Sequence, residues 1–127
     1  MKNERISAKE RGLIKGAIRR VFSRSDLRRS VLEAGKVDHF DPDRPRVKKW
    51  TRCSACGKLT PAYLAEVDHT DPIIPVDRSL ESMTWDEIID RVFCSPNNLA
   101  ILDKTCHKLK TASENAERRK IKKERKN

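Results

Sequence analysis

Apolar residues recur at helical spacing through the first part of the chain. Leu13, Ile14, Ala17, Ile18, Val21 and Phe22 fall into one stripe, while Lys9, Arg11, Lys15, Arg19 and Arg20 occupy the other faces. Ser7 followed three residues later by Glu10 has the spacing of a capping box, so the helix is expected to start there. Ser25 is placed to cap a second helix through Leu27, Val31 and Leu32 that ends at Gly35. A Pro- and Asp-rich connector, Asp38 to Pro45, is then expected to separate this helical arm from a metal-bearing core without marking an independent domain.

Beyond the connector the pattern shortens. Val47 to Arg52 reads as a strand leading into Cys53, and Ala65 to His69 as another that must turn at Asp71-Pro72. Thr70 to Ser82 is mostly loop. Thr84 and Glu87 repeat the capping-box spacing, and Trp85, Ile88, Ile89, Val92 and Phe93 line one face of a helix that packs on the core. Leu99 to Leu102 is a short apolar strand. From about Asp103 the pattern is helical again and runs into ERRKIKKERKN, an end charged enough to fray or stay disordered without a partner.

Composition sharpens this outline. At 127 residues, 36% hydrophobic and 38% charged, the chain has the size of one domain but little apolar material for a large core, so metal is expected to help hold it. No stretch approaches the roughly 20 apolar residues of a membrane span, and MKNERISAKE lacks the apolar block of a signal peptide, so a cytoplasmic protein is expected. In that reducing compartment four cysteines favour metal over disulfides. The net charge of +10 is unevenly placed. Residues 1–36 carry 11 Lys and Arg against 4 Asp and Glu, residues 37–103 carry 8 against 12, and residues 104–127 carry 10 against 3. Basic arms around an acidic centre suit a polyanion on the outside and bound cations within, although solvated helix faces carry such charge too.

Two metal sites are expected. Cys53 and Cys56 can grip one ion from a tight turn, with Gly57 supplying backbone freedom. Cys106 is a third ligand of this structural zinc, and Asp103, one helical turn earlier on the same face, is preferred over Cys94 as the fourth. His107 points about 100° away from Cys106 and so belongs elsewhere. With Asp68 it could hold a hard divalent cation that keeps positions open for water and a phosphate oxygen. His69, with an ordinary pKa of about 6.5, is then free to take a proton near neutral pH. Strand alternation would turn Asp68 and His69 to opposite faces, so the strand is expected to end or bulge there. Asn98 could fix the loop or orient His69. Lys110 and Thr111 share a helix face with His107, which makes Lys110 a phosphate-binding candidate, with Lys108 beside it. His39 reads as a surface histidine.

In this order the residues resemble the HNH endonuclease family: Cys53 and Cys56, VDH at Val67 to His69, NL at Asn98-Leu99, and CHKLKT from Cys106 to Thr111. The likeness covers about residues 50 to 115, and the run MTWDEIIDRVFC, Met83 to Cys94, is similar to small endonucleases encoded by bacteriophages. It implies an α+β fold with a small ββα-metal (His-Me finger) core and a zinc knuckle at residues 47–115. A basic helical arm and connector, residues 1–46, and a basic C-terminal helix or tail, residues 116–127, flank that core. The resemblance implies hydrolysis of phosphodiester bonds in double-stranded DNA, leaving a 5′-phosphate and a 3′-hydroxyl. His69 is then the general base, Asp68 and His107 hold a catalytic Mg2+, Mn2+ or Ni2+, and Asn98 positions the histidine or the metal loop. Asp103 departs from the family, whose zinc-bearing members usually have cysteine there. That departure and the basic arms leave a second reading, a zinc-stabilised module that binds DNA or a protein partner without catalysis.

Overall fold

The computed structural model describes residues 5–126. Four helices are present among them: α1 (Ala8–Ser23), α2 (Asp26–Gly35), α3 (Trp85–Val92) and α4 (Lys104–Lys126). The strands are β1 (Lys36–Asp38), β2 (Lys49–Arg52), β3 (Leu59–Pro61), β4 (Glu66–His69) and β5 (Leu99–Leu102). They form two small antiparallel sheets, one of order β1-β2-β3 and one pairing β4 with β5. The mixed α+β architecture expected from the sequence is therefore present.

Local chemistry sets the helix starts. The Ser7 hydroxyl accepts from Glu10 N at 3.1 Å while the Glu10 carboxylate accepts from Ser7 N at 3.0 Å. Thr84 and Glu87 repeat the exchange at 3.1 and 3.0 Å, and Ser25 caps α2 by accepting from Arg28 N at 3.1 Å. Each side chain satisfies a backbone donor that a helix start leaves open. Strands β1 and β3, three residues each, have no alternation to reveal them and exist as the two edges of β2.

One apolar cluster joins Phe22 of α1, Ile73, Met83, Ile88 and Val92 of α3, and Leu99 of β5, with Ile18, Leu27 and Val31 packed against it. Phe22 and Ile18 of the α1 stripe thus reach this core, while Leu13, Ile14 and Val21 of the same stripe stay exposed. Of the face read for α3, Ile88 and Val92 are fully buried, while Ile89 and Phe93 stay exposed. Arg11 is buried with its guanidinium 5.3 Å from the Trp85 ring, a cation–π contact that ties α1 to α3. At the end of α2, a Cβ on Gly35 would run into the Ile101 side chain, so glycine permits the close approach to β5.

Helix α4 is continuous to Lys126, where the charge pattern predicts a frayed end. Its second half is fastened by guanidinium groups: Arg118 Nη2 donates to Ile74 O and Arg125 Nη2 to Asp77 O, each at 2.7 Å. Those charges, which argue against order in an isolated tail, here satisfy the carbonyls of the loop after β4. No helix among the described residues is long and apolar enough to cross a membrane.

Candidate metal and histidine sites

Strand β2 delivers Cys53 into a turn closed by Gly57 N to Cys53 O and Cys53 N to Lys58 O, both 2.9 Å. Gly57 holds a φ of 76°, left-handed backbone that a side chain would strain. Ser54 N donates to Ile101 O at 2.9 Å, which ties the turn to β5. Strand β5 in turn runs straight into Asp103 and α4. One ligand atom from each of Cys53, Cys56, Asp103 and Cys106 consequently lies within 4.8 Å of all the others. A tetrahedral zinc with bonds of about 2.3 Å sets its donors about 3.8 Å apart, so this group fits a structural ion such as zinc. Cys94 is outside it and packs against the apolar core.

Asp103 has two roles. Its Oδ1 accepts from Cys106 N at 2.7 Å, as a helix cap does, while Oδ2 lies 3.2 Å from Cys56 Sγ, which donates to it. The Cys106 backbone N–H and then the Cys56 thiol hold its carboxyl below the usual range. Burial followed by the neighbouring Cys53, Cys56 and Asp103 pushes the Cys106 thiol up to about 12. Four acceptor groups gathered this closely repel one another as anions, and a cation among them removes that repulsion.

The second site stands at the end of β4, where Asp68 pairs with Ala100 and His69 with Leu99. No bulge is needed. Alternation turns Asp68 toward α4 and the His69 ring toward α1 and α3, and the strand simply ends at His69. Both residues still border one cavity of about 660 Å³, together with His107. The His69 ring is buried, 4.9 Å from the Phe22 ring centroid, with Nε2 2.8 Å from Val92 O. A carbonyl oxygen only accepts, so Nε2 is the donor, and in the neutral imidazole Nδ1 is then the nitrogen with the lone pair.

Asp68 Oδ1 lies 3.6 Å from His107 Nε2, and Oδ2 lies 3.0 Å from Lys110 Nζ. The latter contact is an ion pair out of line for hydrogen bonding, so buried Oδ2 has no hydrogen-bond partner. Lys110 also donates to His69 O at 2.9 Å and to Glu114 Oε2 at 2.8 Å. The ammonium read as a phosphate ligand is thus engaged by three groups of the protein itself. Burial alone would lower its pKa, but Glu114 and Asp68 outweigh that and hold it above its ordinary value. Lys108 is exposed on α4 and does not border the cavity, whereas Thr111 does.

Asn98 holds the loop rather than the histidine. Its Oδ1 accepts from Asp71 N at 2.8 Å, its Nδ2 donates to Asp71 O at 3.3 Å, and its own carbonyl accepts from Thr70 N at 2.8 Å. The chain leaving His69 is therefore clamped on both sides. His39 is exposed, edge-on to Trp50 at 5.1 Å. Five charged residues that border the cavity have no place in the site expected from the sequence: Lys15, Arg19, Arg78, Glu114 and Arg118. Glu114 was accessible as the i+4 neighbour of Lys110. Nothing in the sequence signals that α1 reaches this cavity. Compared with known protein families, curated proteins and solved structures, the chain matches none.

Proposed function

We propose that the chain is a metal-dependent DNA endonuclease of the HNH type, with a structural zinc on Cys53, Cys56, Asp103 and Cys106. The observation that carries this reading is the meeting of His69, Asp68 and His107 at one cavity, with the only proton acceptor of the His69 ring left unused by the Val92 contact. Asp68 and His107 would hold a divalent cation, since two bonds of about 2.1 Å reach across 3.6 Å. Such an ion polarises a phosphodiester when bound. His69 Nδ1 takes a proton from water, whose oxygen attacks phosphorus. The bond to the 3′ oxygen breaks, leaving a 5′-phosphate and, once protonated, a 3′-hydroxyl. Val92 O holds the ring in the tautomer this step needs, and Asn98 keeps the following loop in place. The basic faces of α1 and α4 would grip the DNA backbone.

Plasmid DNA with magnesium, manganese or nickel should be nicked or linearised. His69→Ala should keep binding DNA while cutting on the order of 100-fold or more slowly, the usual loss for a general base. Equal cutting by this variant would remove His69 from that role. One observation favours a second reading, a zinc-stabilised DNA-binding module without catalysis: Lys110 already neutralises Asp68 and Glu114. That reading expects salt-sensitive DNA binding and no cleavage with any divalent ion, so a time course across the metals separates the two.

A further inference from the structure

The cavity in front of His69 has a cationic wall that the proposed chemistry does not use. Lys15 and Arg19, one turn apart on α1, border it, and Arg118 borders it from α4. Neither Lys15 nor Arg19 has an ion-pair or hydrogen-bond partner among the described residues. The acidic groups nearby are taken: Lys110 engages both Asp68 and Glu114, and Glu87 is paired with Arg78. Arg118 is held in position by Asn115 Oδ1 at 3.0 Å and Ile74 O at 2.7 Å, which leaves other guanidinium donors free. Lys15 is half-buried, and its pKa is lowered first by that burial and then by Arg19 and Arg118. Arg19 is exposed and Arg118 partly buried, so the cost of gathering these like charges without a counter-charge falls mainly on Lys15. An anion bound between them supplies the missing counter-charge and offsets their mutual repulsion.

We infer that Lys15, Arg19 and Arg118 form a binding subsite for a backbone phosphate of the DNA strand that enters the His69 cavity. The first helix, outside the stretch that resembles a nuclease, then supplies part of the substrate site instead of a diffuse basic surface. This identity of the anion rests on the endonuclease reading. The subsite itself does not require cleavage.

The test is binding of a fluorescein-labelled DNA duplex to the full-length, zinc-loaded protein by anisotropy, without other divalent ions and across a salt series. Lys15→Gln with Arg19→Gln is compared with Lys9→Gln with Arg20→Gln. The second pair removes the same charge from the same helix but faces away by about 100° or more from the line through Lys15 and Arg19. The first pair should weaken binding about tenfold or more and reduce the salt slope by about 0.9, the value for one phosphate no longer neutralised. The second pair should weaken it less than about threefold. Lys15→Gln alone should raise the melting temperature of the free protein, because an unpaired half-buried charge is gone. Equal losses from both pairs, no DNA binding by the unaltered protein, or a lower melting temperature for Lys15→Gln would each overturn the subsite. Failure of the unaltered protein to cut bound DNA with any divalent ion removes the endonuclease reading instead, while the comparison of the two pairs still decides the subsite.

Discussion

At the level of single residues, Asp103 shows how one side chain can serve fold and metal together. One carboxylate oxygen caps α4 through Cys106 N, and the other faces Cys56. Asparagine keeps a cap oxygen but loses the negative charge, whereas alanine loses both. Asp103→Asn should therefore leave the metal-free protein near its original stability while lowering zinc affinity by at least the roughly tenfold that an outer partner of a metal ligand is worth. Asp103→Ala should cost about a further 1 kcal/mol because the cap is removed as well. Urea unfolding of the metal-free forms and a competitive zinc titration measure the two effects separately. Equal zinc affinity in Asp103→Asn and the unaltered protein would leave Asp103 a cap alone. The spacing of Asp103 and Cys106 made their shared face legible, because a helix repeats every three to four residues. The same spacing on α4 places Lys110 and Glu114 together, yet only the folded arrangement brings Asp68 between them and His107.

Among the elements, the short helix α3 depends on its first turn. Glu87 accepts from Thr84 N and pairs with Arg78 at 2.8 Å, and these two contacts, Arg78 first, bring its pKa from 4.5 down to about 2. A carboxyl whose pKa is depressed by folding stabilises the fold above its unfolded value and loses that contribution as pH falls toward the folded one. Stability should accordingly fall between about pH 5 and pH 2 more steeply in the unaltered protein than in Glu87→Gln, as urea midpoints at pH 6 and pH 3 would show. Parallel pH curves would contradict it. The capped helices were legible because cap and apolar stripe lie within a few residues of each other. Strands β1 and β3 were not, since three residues carry no period and their edges are defined by β2. Order at the end of α4 was illegible for a related reason: it comes from carbonyls at Ile74 and Asp77, more than 40 positions away in sequence.

At the scale of the whole molecule, the start of α4 links the two sites. Asp103 and Cys106 belong to the sulfur-rich group, while His107 and Lys110, on the same helix, meet Asp68. Strand β5 connects them further, pairing with β4 beside His69 and accepting Ser54 N from the cysteine turn. On the endonuclease proposal, stripping a zinc ion from the Cys53, Cys56, Asp103 and Cys106 group should lower the melting temperature and also abolish cutting, because the first turn of α4 loses the anchor that sets His107. A chelator that strips zinc yet leaves the full magnesium-dependent rate would separate the sites. Differential scanning calorimetry beside the plasmid assay reads both quantities on one sample.

The chain's own periodicity and spacing were enough to predict α1 to α3, the start of α4, the strand that ends at His69, the Leu99–Leu102 strand and the set of Cys53, Cys56 and Cys106, with Asp103 preferred over Cys94 as its fourth member. Each depends on residues close in sequence or on donor types with few alternative uses. Tertiary structure alone decided that Phe22 and the N-terminal helices complete the core, that Val92 O holds the His69 ring, and that Lys110 occupies Asp68. It also brought Lys15 and Arg19 to the cavity. These are contacts between surfaces whose residues, taken singly, have the composition of ordinary helix faces, so only the packing of α1 against α3 and α4 against β4 gives them a common location.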